Sequence, residues 1–268
     1  MKIDSEKTAN DFLELASEQR LNIIISLAEK KLNNTKLANL LDATKPEVHR
    51  NVTRLTKAGL IEKNSDGDYG LTTYGKAILV QIPSLFFIAE NRQYFSTHTL
   101  GNLESKFIQR LGSLQDKKQI NGFVRVIEKW KKIHENAEKY IYNILSEVPY
   151  SRDIIDVITS KLENNIQIRS IFAEKAVIPE ERQKIFEEKG FQKYVLNGLL
   201  ARKIKKDITV VVLVTEKEAA VFFPHTSGGP DLSTVFVSSD PDFHDWCYDY
   251  FELCWKNSTS FHESKLKE

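Results

Sequence analysis

One segment, residues 44–58, constrains the fold of this chain more than any other. It reads TKPEVHRNVTRLTKA and places apolar side chains at Val48, Val52 and Leu55, with polar or basic residues between them. Steps of four and three residues align side chains on one face of an α-helix. Gly59 follows directly and is typical of a helix end. The pattern predicts a short helix with one buried stripe and a polar, basic outer face.

A hairpin signal follows that helix at once. Short strand-like runs at 60–63 and 69–72 flank an Asp-Gly pair at 66–67, and Asp-Gly is a strong signal for a tight turn. Helical patterns at 17–31, with Ser17 as a candidate cap, and after Asn34 or Thr35 precede it. Three helices and then a two-stranded wing is the element order of a winged helix-turn-helix domain.

Charge is concentrated in the same region. The whole chain has a formal net charge of +1, whereas residues 35–64 carry six basic and three acidic side chains, a local excess of +3. A basic helix face can reach phosphates and base edges in the major groove, although a solvated surface helix has the same composition. The residues expected at a DNA surface are Lys36, Thr44, Lys45, Glu47, His49, Arg50, Thr53, Arg54 and Lys57.

The stretch 37–79 resembles the winged-helix domains of archaeal ArsR-like and TrmB-like transcription regulators. The resemblance lies in the skeleton V..NV..L...GLI and in the exit YGLTTYGK. It implies that the helix over 46–58 enters the major groove, with Arg50 and Arg54 as the leading base-reading residues. The turn NSDGDYG carries two aspartates and no basic residue, which argues against a strong contact between the wing tip and DNA.

The rest of the chain alternates strand and helix patterns. Strands are predicted at 138–145, 166–173, 207–215, 218–224 and 233–239, with helices at 151–164 and 179–190 and a last helix capped by Asp240. This order indicates a partly parallel sheet with an antiparallel portion. The expected fold is α+β overall, an N-terminal winged helix-turn-helix plus a C-terminal α/β mixed-sheet domain. The expected boundaries are 1–78 for the DNA-binding domain, 79–99 for a helical linker and candidate dimer contact, 100–257 for the sensor domain and 258–268 for a flexible tail.

The second part resembles the sensor domain of archaeal regulators related to the methanogenesis-filament regulator. The matching stretches are FVRVIEKWKKIHENAEKYIYNILSEVPYS, EAAVFFPHTSGGPDLSTVFVSSDPDF and FELCWKNS. That domain is similar to the phospholipase D-like domain of TrmB-type regulators. The related phosphodiesterases carry His-x-Lys followed four residues later by Asp, whereas Ser227 stands here in the place of lysine. The resemblance therefore implies a sensor without phosphodiesterase activity.

Candidate ligand residues follow from the sheet. Ligands of open α/β sheets bind beyond the carboxyl ends of strands. The polar residues predicted at that edge are Glu147, Tyr150, Glu174, His225 and Asp231. Each is also a plausible turn or cap residue, and His225 with Asp231 could form a general-base pair. No nucleotide-binding or nucleophile-elbow motif occurs, so we expect no catalytic residues, no cofactor and no metal.

Composition limits the remaining alternatives. Cys247 and Cys254 are seven residues apart, which favours buried thiols on one helix face and a reducing, cytoplasmic setting. The apolar stretch 77–89 is too short to cross a bilayer, and no targeting segment is recognised, so no membrane partner is expected. The leading hypothesis is a dimeric regulator that binds promoter DNA and a small-molecule effector. The alternatives are a hydrolase whose winged helix binds protein, and an architectural DNA-binding protein without a ligand.

Overall fold

The computed structural model describes residues 9, 12–146, 152–176, 180–229 and 231–261, without the side chains of 180–183. The described chain divides into two compact units, Met1–Pro83 and Ser84–Glu268. The first unit is mostly helical, and the second contains an eight-stranded mixed sheet with helices packed on it. The predicted α+β fold class is confirmed.

In the described part of the N-terminal unit, a helical turn at residues 12–15 is followed by three helices and a hairpin, and then by the start of a further helix. The elements are α1 (Glu18–Glu29), α2 (Asn34–Leu40), α3 (Lys45–Lys57), β1 (Ile61–Lys63) and β2 (Tyr69–Leu71). Their core includes Ile23, Ile24, Leu37, Val48, Val52, Leu55 and Leu60, all at most 2% exposed. The stripe predicted on α3 is therefore the side that holds this helix to the rest of the unit.

Two predicted helix caps differ from the structure. Asn33, one residue before the predicted Asn34 or Thr35, caps α2, because its side chain accepts a hydrogen bond from the backbone N–H of Lys36. Ser17 stands at the cap position of α1 but makes no side-chain hydrogen bond there. Arg20 instead ties this end of α1 to the preceding turn, donating to the backbone carbonyl of Glu14.

The hairpin is joined to the helices by backbone contacts. β1 and β2 pair antiparallel, and Leu32, between α1 and α2, adds a bridge to Tyr69. Gly59 adopts φ +73°, so the predicted end of α3 is confirmed. Gly75 lies against the carbonyl of Leu60, where any Cβ would come within 2.0 Å of that oxygen. The start of the next helix, α4 (Thr73–Glu90), can therefore approach the hairpin only with glycine at this position.

After 3₁₀ turns at Tyr94–Ser96 and Leu111–Leu114, with a one-turn helix α5 (Ser105–Ile108) between them, the elements of the C-terminal unit are β3 (Lys118–Asn121), α6 (Phe123–Asn136), β4 (Tyr140–Leu145), α7 (Arg152–Glu163), β5 (Gln167–Ala173), α8 (Glu180–Glu188), α9 (Gln192–Leu196), β6 (Leu200–Lys205), β7 (Val211–Thr215), β8 (Ala219–Phe222), β9 (Thr234–Ser238), α10 (Pro241–Lys256) and β10 (Thr259–Ser260). Their strand order is β10-β6-β5-β4-β7-β8-β9-β3. β4, β5 and β6 run parallel, and the other neighbouring pairs are antiparallel. The predicted sheet, partly parallel with an antiparallel portion, is therefore confirmed, whereas β3, β6 and β10 lie outside the predicted strands.

Each face of this sheet has its own core. Ile141, Ile168 and Leu200 point to the face that α6 and α7 cover, whereas Tyr142 and Ile171 point to the face that α10 covers. Asp240 caps α10 through a bond from the backbone N–H of Phe243, as predicted. The two cysteines lie unbridged and buried on α10, which confirms the expected buried thiols.

Candidate DNA-binding surface

The start of α3 is fixed by a reciprocal cap. The Thr44 side chain accepts from the backbone N–H of Glu47 at 3.4 Å, and the Glu47 carboxylate accepts from the backbone N–H of Thr44 at 2.9 Å. The Thr44 hydroxyl also donates to that carboxylate at 2.7 Å, and these bonds hold the pKa of Glu47 below its ordinary value. Thr44 and Glu47, both predicted at a DNA surface, thus define where the helix begins.

The face of α3 opposite the buried stripe is exposed and basic. Arg50, Thr53 and Lys57 project from it, and Lys45 stands at its amino-terminal end. The Thr53 hydroxyl donates to the backbone carbonyl of His49 at 2.8 Å. This bond holds the Thr53 side chain against its own helix. His49 faces α2, with its Nδ1 3.4 Å from the side-chain nitrogen of Asn34. The predicted division of α3 into a buried stripe and a polar, basic face is confirmed.

Arg54 is engaged by a carboxylate of its own unit. Its Nε and Nη2 donate to the two oxygens of Glu14 at 3.1 and 2.6 Å. Arg20 Nε lies 3.0 Å from the same carboxylate. The hydrogen bond from Arg54 lowers the pKa of Glu14, and the nearby guanidinium of Arg20 adds to that shift. Sequence reasoning missed Glu14, because it precedes the periodic pattern that marks α1.

The hairpin turn is organised by one side chain. Asn64 Oδ1 accepts from the backbone N–H groups of Asp66 and Asp68 at 3.0 and 2.9 Å, and Gly67 adopts φ +85°. Lys36 of α2, another predicted DNA residue, lies 3.8 Å from the Asp68 carboxylate. The predicted turn is confirmed, and the charged side chains within it, those of Asp66 and Asp68, are acidic.

The predicted ligand residues are dispersed. Glu147 and Tyr150 lie outside the described residues. Glu174 follows β5, whereas His225 and Asp231 follow β8. β4 and β7 lie between β5 and β8 in the sheet. Because neighbouring strands are about 4.8 Å apart, the ends of β5 and β8 are separated by roughly 14 Å. Their convergence on one ligand stays a prediction.

His225 and Asp231 do not form the general-base pair that the sequence left open. Asp231 Oδ2 lies 3.0 Å from Nε2 of His98, while His225 Nδ1 lies 2.7 Å from the hydroxyl of Ser227. The cause is a backbone bridge between His98 and His225, which brings residues 97–99 alongside 224–226. Burial raises the pKa of Asp231, but hydrogen bonds from Ser233 and His98 outweigh that effect and leave it below its ordinary value.

The described residues form neither a membrane span nor a metal site. No described helix combines the length and apolarity that a bilayer crossing requires. Within the same described ranges, no three His, Cys, Asp or Glu side chains are grouped so that they could hold a metal ion.

One family model matches the N-terminal part of the chain. Residues 9–92, 84 of the 268, match the family described as HVO_A0261 N-terminal domain. A search of curated protein sequences gives no match.

Three solved structures are similar to the chain at low identity. TrmBL2, an archaeal chromatin protein with a novel mode of DNA binding, has 12% identity and a TM-score of 0.42 over 89% of this chain and 91% of its own. Phosphatidylserine synthase of Haemophilus influenzae Rd KW20 has 12% identity and a TM-score of 0.42 over 57% and 41%. Nuc, a phospholipase D family member of Salmonella typhimurium, has 10% identity and a TM-score of 0.37 over 55% and 100%. All three likenesses are too distant for a shared function to follow from them.

Proposed function

We propose that this protein binds double-stranded DNA through α3, as a homodimer, and regulates transcription in response to a small molecule sensed by its C-terminal unit. The observation that carries the proposal is the exposed face of α3. A capped helix, held by a buried stripe and followed by a hairpin, presents Arg50, Thr53 and Lys57 to solvent. A B-DNA major groove is wide enough to admit such a helix.

Different residues of this face are suited to base contacts and to phosphate contacts. Arg50 can donate two hydrogen bonds to one guanine, while Lys45 and Lys57 at the two ends of α3 can contact phosphates. Arg54 can join them only if its bonds to Glu14 break or rearrange. We therefore rank Arg50 above Arg54 as a base-reading residue.

Exposed apolar side chains on α4 support the dimer. In the part of α4 after Pro83, Leu85, Phe86 and Ile88 are 58%, 54% and 38% exposed. No charged residue lies between Lys76 and Glu90. Contiguous apolar patches of more than roughly a few hundred Å² commonly mark interaction sites. A second copy is the natural occupant, because two-fold dimers match paired DNA half-sites.

The proposal assigns no catalysis to the chain. Ser227 replaces the lysine of the phosphodiesterase motif, and Asp231 is paired with His98. A nucleophilic His225 would lack the neighbouring lysine that stabilises charge on a phosphate.

Genome-wide immunoprecipitation of the tagged protein from its native host tests the proposal. Enrichment of a palindromic motif is expected. Binding of that motif is then compared for the wild type, Arg50→Ala and Lys132→Ala, the last removing an exposed cation of the C-terminal unit. Arg50→Ala should weaken specific binding by about 10- to 100-fold, as for the loss of one bidentate base contact. No enrichment with folded protein, or equal effects of the two substitutions, would overturn it.

A further inference from the structure

His49 has one ring nitrogen bonded within the N-terminal unit and the other directed away from that bond. Lys45, His49 and Thr53 follow one another on α3 at steps of four residues, and all three are exposed. The Nδ1 atom of His49 lies 3.4 Å from the side-chain nitrogen of Asn34, the first residue of α2. Among the described residues, that contact is the one hydrogen bond of the imidazole. Nε2 is therefore the ring nitrogen that can reach a partner in front of α3.

The contact with Asn34 determines which ring nitrogen carries the proton. The side-chain nitrogen of asparagine can only donate, so Nδ1 of His49 is the acceptor of this bond. A neutral imidazole has one N–H group and one acceptor nitrogen. With Nδ1 as the acceptor, the proton lies on Nε2. His49 consequently presents a hydrogen-bond donor on the outer side of α3.

The Asn34 amide makes no other bond that would account for its place. Its Oδ1 is buried and has no hydrogen-bond partner in the part of the chain that the structure describes. Such an unpaired oxygen is destabilising. The cap of α2 does not need Asn34 either, because the side chain of Asn33 accepts the bond from the backbone N–H of Lys36. What this amide contributes is therefore its contact with His49.

A donor at Nε2 distinguishes between the bases in the major groove. Guanine presents two acceptors there, N7 and O6, next to each other. Cytosine presents an amino donor, which cannot accept from Nε2–H, and adenine places an amino donor beside its N7. A single fixed donor therefore favours guanine and disfavours cytosine.

We propose that Asn34 is a positioning residue of the DNA-binding face, and that it holds His49 as a donor to N7 or O6 of a guanine in the operator. This contact is additional to the base contact of Arg50. The inference rests on the proposed function, because it assigns a role in the recognition of DNA by α3. It adds a residue of α2 that touches no base and acts through His49.

Nitrogen NMR of the full chain without DNA tests the positioning role. At about pH 8.5, where an ordinary imidazole is neutral, long-range ¹H–¹⁵N spectra show which nitrogen of His49 carries the proton. In the wild type the Nε2–H form should predominate. In Asn34→Ala the ratio of the Nε2–H form to the Nδ1–H form should fall about fivefold, as for the loss of one hydrogen bond.

Asn39→Ala is the matched control for this measurement. It removes an exposed side-chain amide from the same helix and should leave the ratio unchanged. Equal ratios in the wild type and Asn34→Ala would overturn the role of Asn34. A change of the ratio in Asn39→Ala as large as that in Asn34→Ala would also overturn it, since the effect would then not come from the contact with Nδ1.

DNA selection tests the base contact. Randomised duplexes are selected with the wild type, His49→Ala and Arg50→Ala, and the position at which only His49→Ala loses a guanine is identified. Reversal of that G·C pair to C·G should weaken binding of the wild type about tenfold, as a mismatched position does. His49→Ala should bind both duplexes equally, and Asn34→Ala should discriminate between them less than Asn39→Ala does.

The outcomes separate this inference from the proposed function. If no duplex is bound specifically, both are overturned. If Arg50→Ala weakens specific binding but His49→Ala keeps the wild-type preference at every position, the proposed function stands and the role of His49 is overturned. Loss of the guanine preference in His49→Ala, with reduced discrimination in Asn34→Ala and none of this change in Asn39→Ala, would support both.

Discussion

Arg54, on the exposed side of α3, donates two hydrogen bonds to Glu14, a carboxylate that lies before the first long helix. The contact joins the helix proposed to read DNA to the amino-terminal turn of the same unit. A phosphate would compete with Glu14 for the same guanidinium, since a carboxylate and a phosphate can each accept two parallel hydrogen bonds from the planar guanidinium. Glu14 therefore acts as an internal competitor of DNA under the proposed function.

Removal of that competitor should strengthen binding to DNA. In Glu14→Gln, Arg54 keeps a neutral neighbour and becomes available for one further phosphate contact. We expect a higher affinity at low salt and a steeper fall with salt, the slope of log K against log salt growing by about 0.9. Fluorescence anisotropy of a labelled duplex over a series of KCl concentrations measures both.

Glu29→Gln provides the control for that experiment. It removes the same charge from an exposed position at the end of α1, away from Arg54. Its effect on the slope should be small. Equal slopes for the wild type and Glu14→Gln would show that Arg54 does not reach the DNA backbone.

The cap of α3 predicts a stability effect at a residue that the sequence alone assigned to DNA. Thr44→Ala removes an acceptor for the backbone N–H of Glu47 and should cost about 1 kcal/mol of unfolding free energy. Thr44→Ser should keep most of it. Thr56→Ala, which removes a hydroxyl bonded to the carbonyl of Val52 within the helix, should change stability by less than about 0.5 kcal/mol. Urea denaturation followed by circular dichroism distinguishes these values, and a neutral Thr44→Ala would contradict the cap.

The buried imidazole of His134 predicts acid sensitivity of the C-terminal unit. Burial lowers its pKa to about 4, whereas an unfolded histidine titrates near 6.5. Between those values the unfolded chain binds a proton that the folded chain does not, so stability falls as pH decreases through this window. From pH 7 to pH 5 the loss from this one group is about 2 kcal/mol.

A non-titrating residue at the same position isolates that contribution. His134→Gln should be less stable than the wild type at pH 7, since it loses packing against Trp130. Its further loss between pH 7 and pH 5 should be smaller than that of the wild type by about 2 kcal/mol. Parallel pH dependences in urea titrations would contradict the assignment.

Features formed by residues that are close together in the chain could be predicted from the sequence. The stripe of α3, the Asp-Gly turn and the cap at Asp240 involve neighbours in the chain, and all three are confirmed. The strands β3 and β6 were missed, because KQIN and LARKIK carry charged residues where a buried strand would be apolar. Both lie near the ends of the sheet, where such residues are tolerated.

Contacts between residues that are far apart in the chain could not be predicted in this way. Glu14 with Arg54 and His98 with Asp231 are separated by 40 and 133 positions, and no local pattern joins them. Asn143 and Ser170, which pair in register on β4 and β5, are visible in the sequence, since each interrupts an apolar strand. Their alignment needed the register of β4 on β5, which periodicity does not determine.

The dimer proposed for α4 is tested by a charge in its apolar surface. Leu85 is 58% exposed, so Leu85→Glu should cost the folded monomer little. In a dimer that buries this side chain, an unpaired carboxylate would be strongly unfavourable, and the protein should run as a monomer in sedimentation velocity. Lys76→Glu makes a larger change of charge at an exposed position of the same helix and should leave the dimer intact. A dimeric Leu85→Glu variant would exclude this helix as the contact, and a monomeric wild type would overturn the proposed dimer.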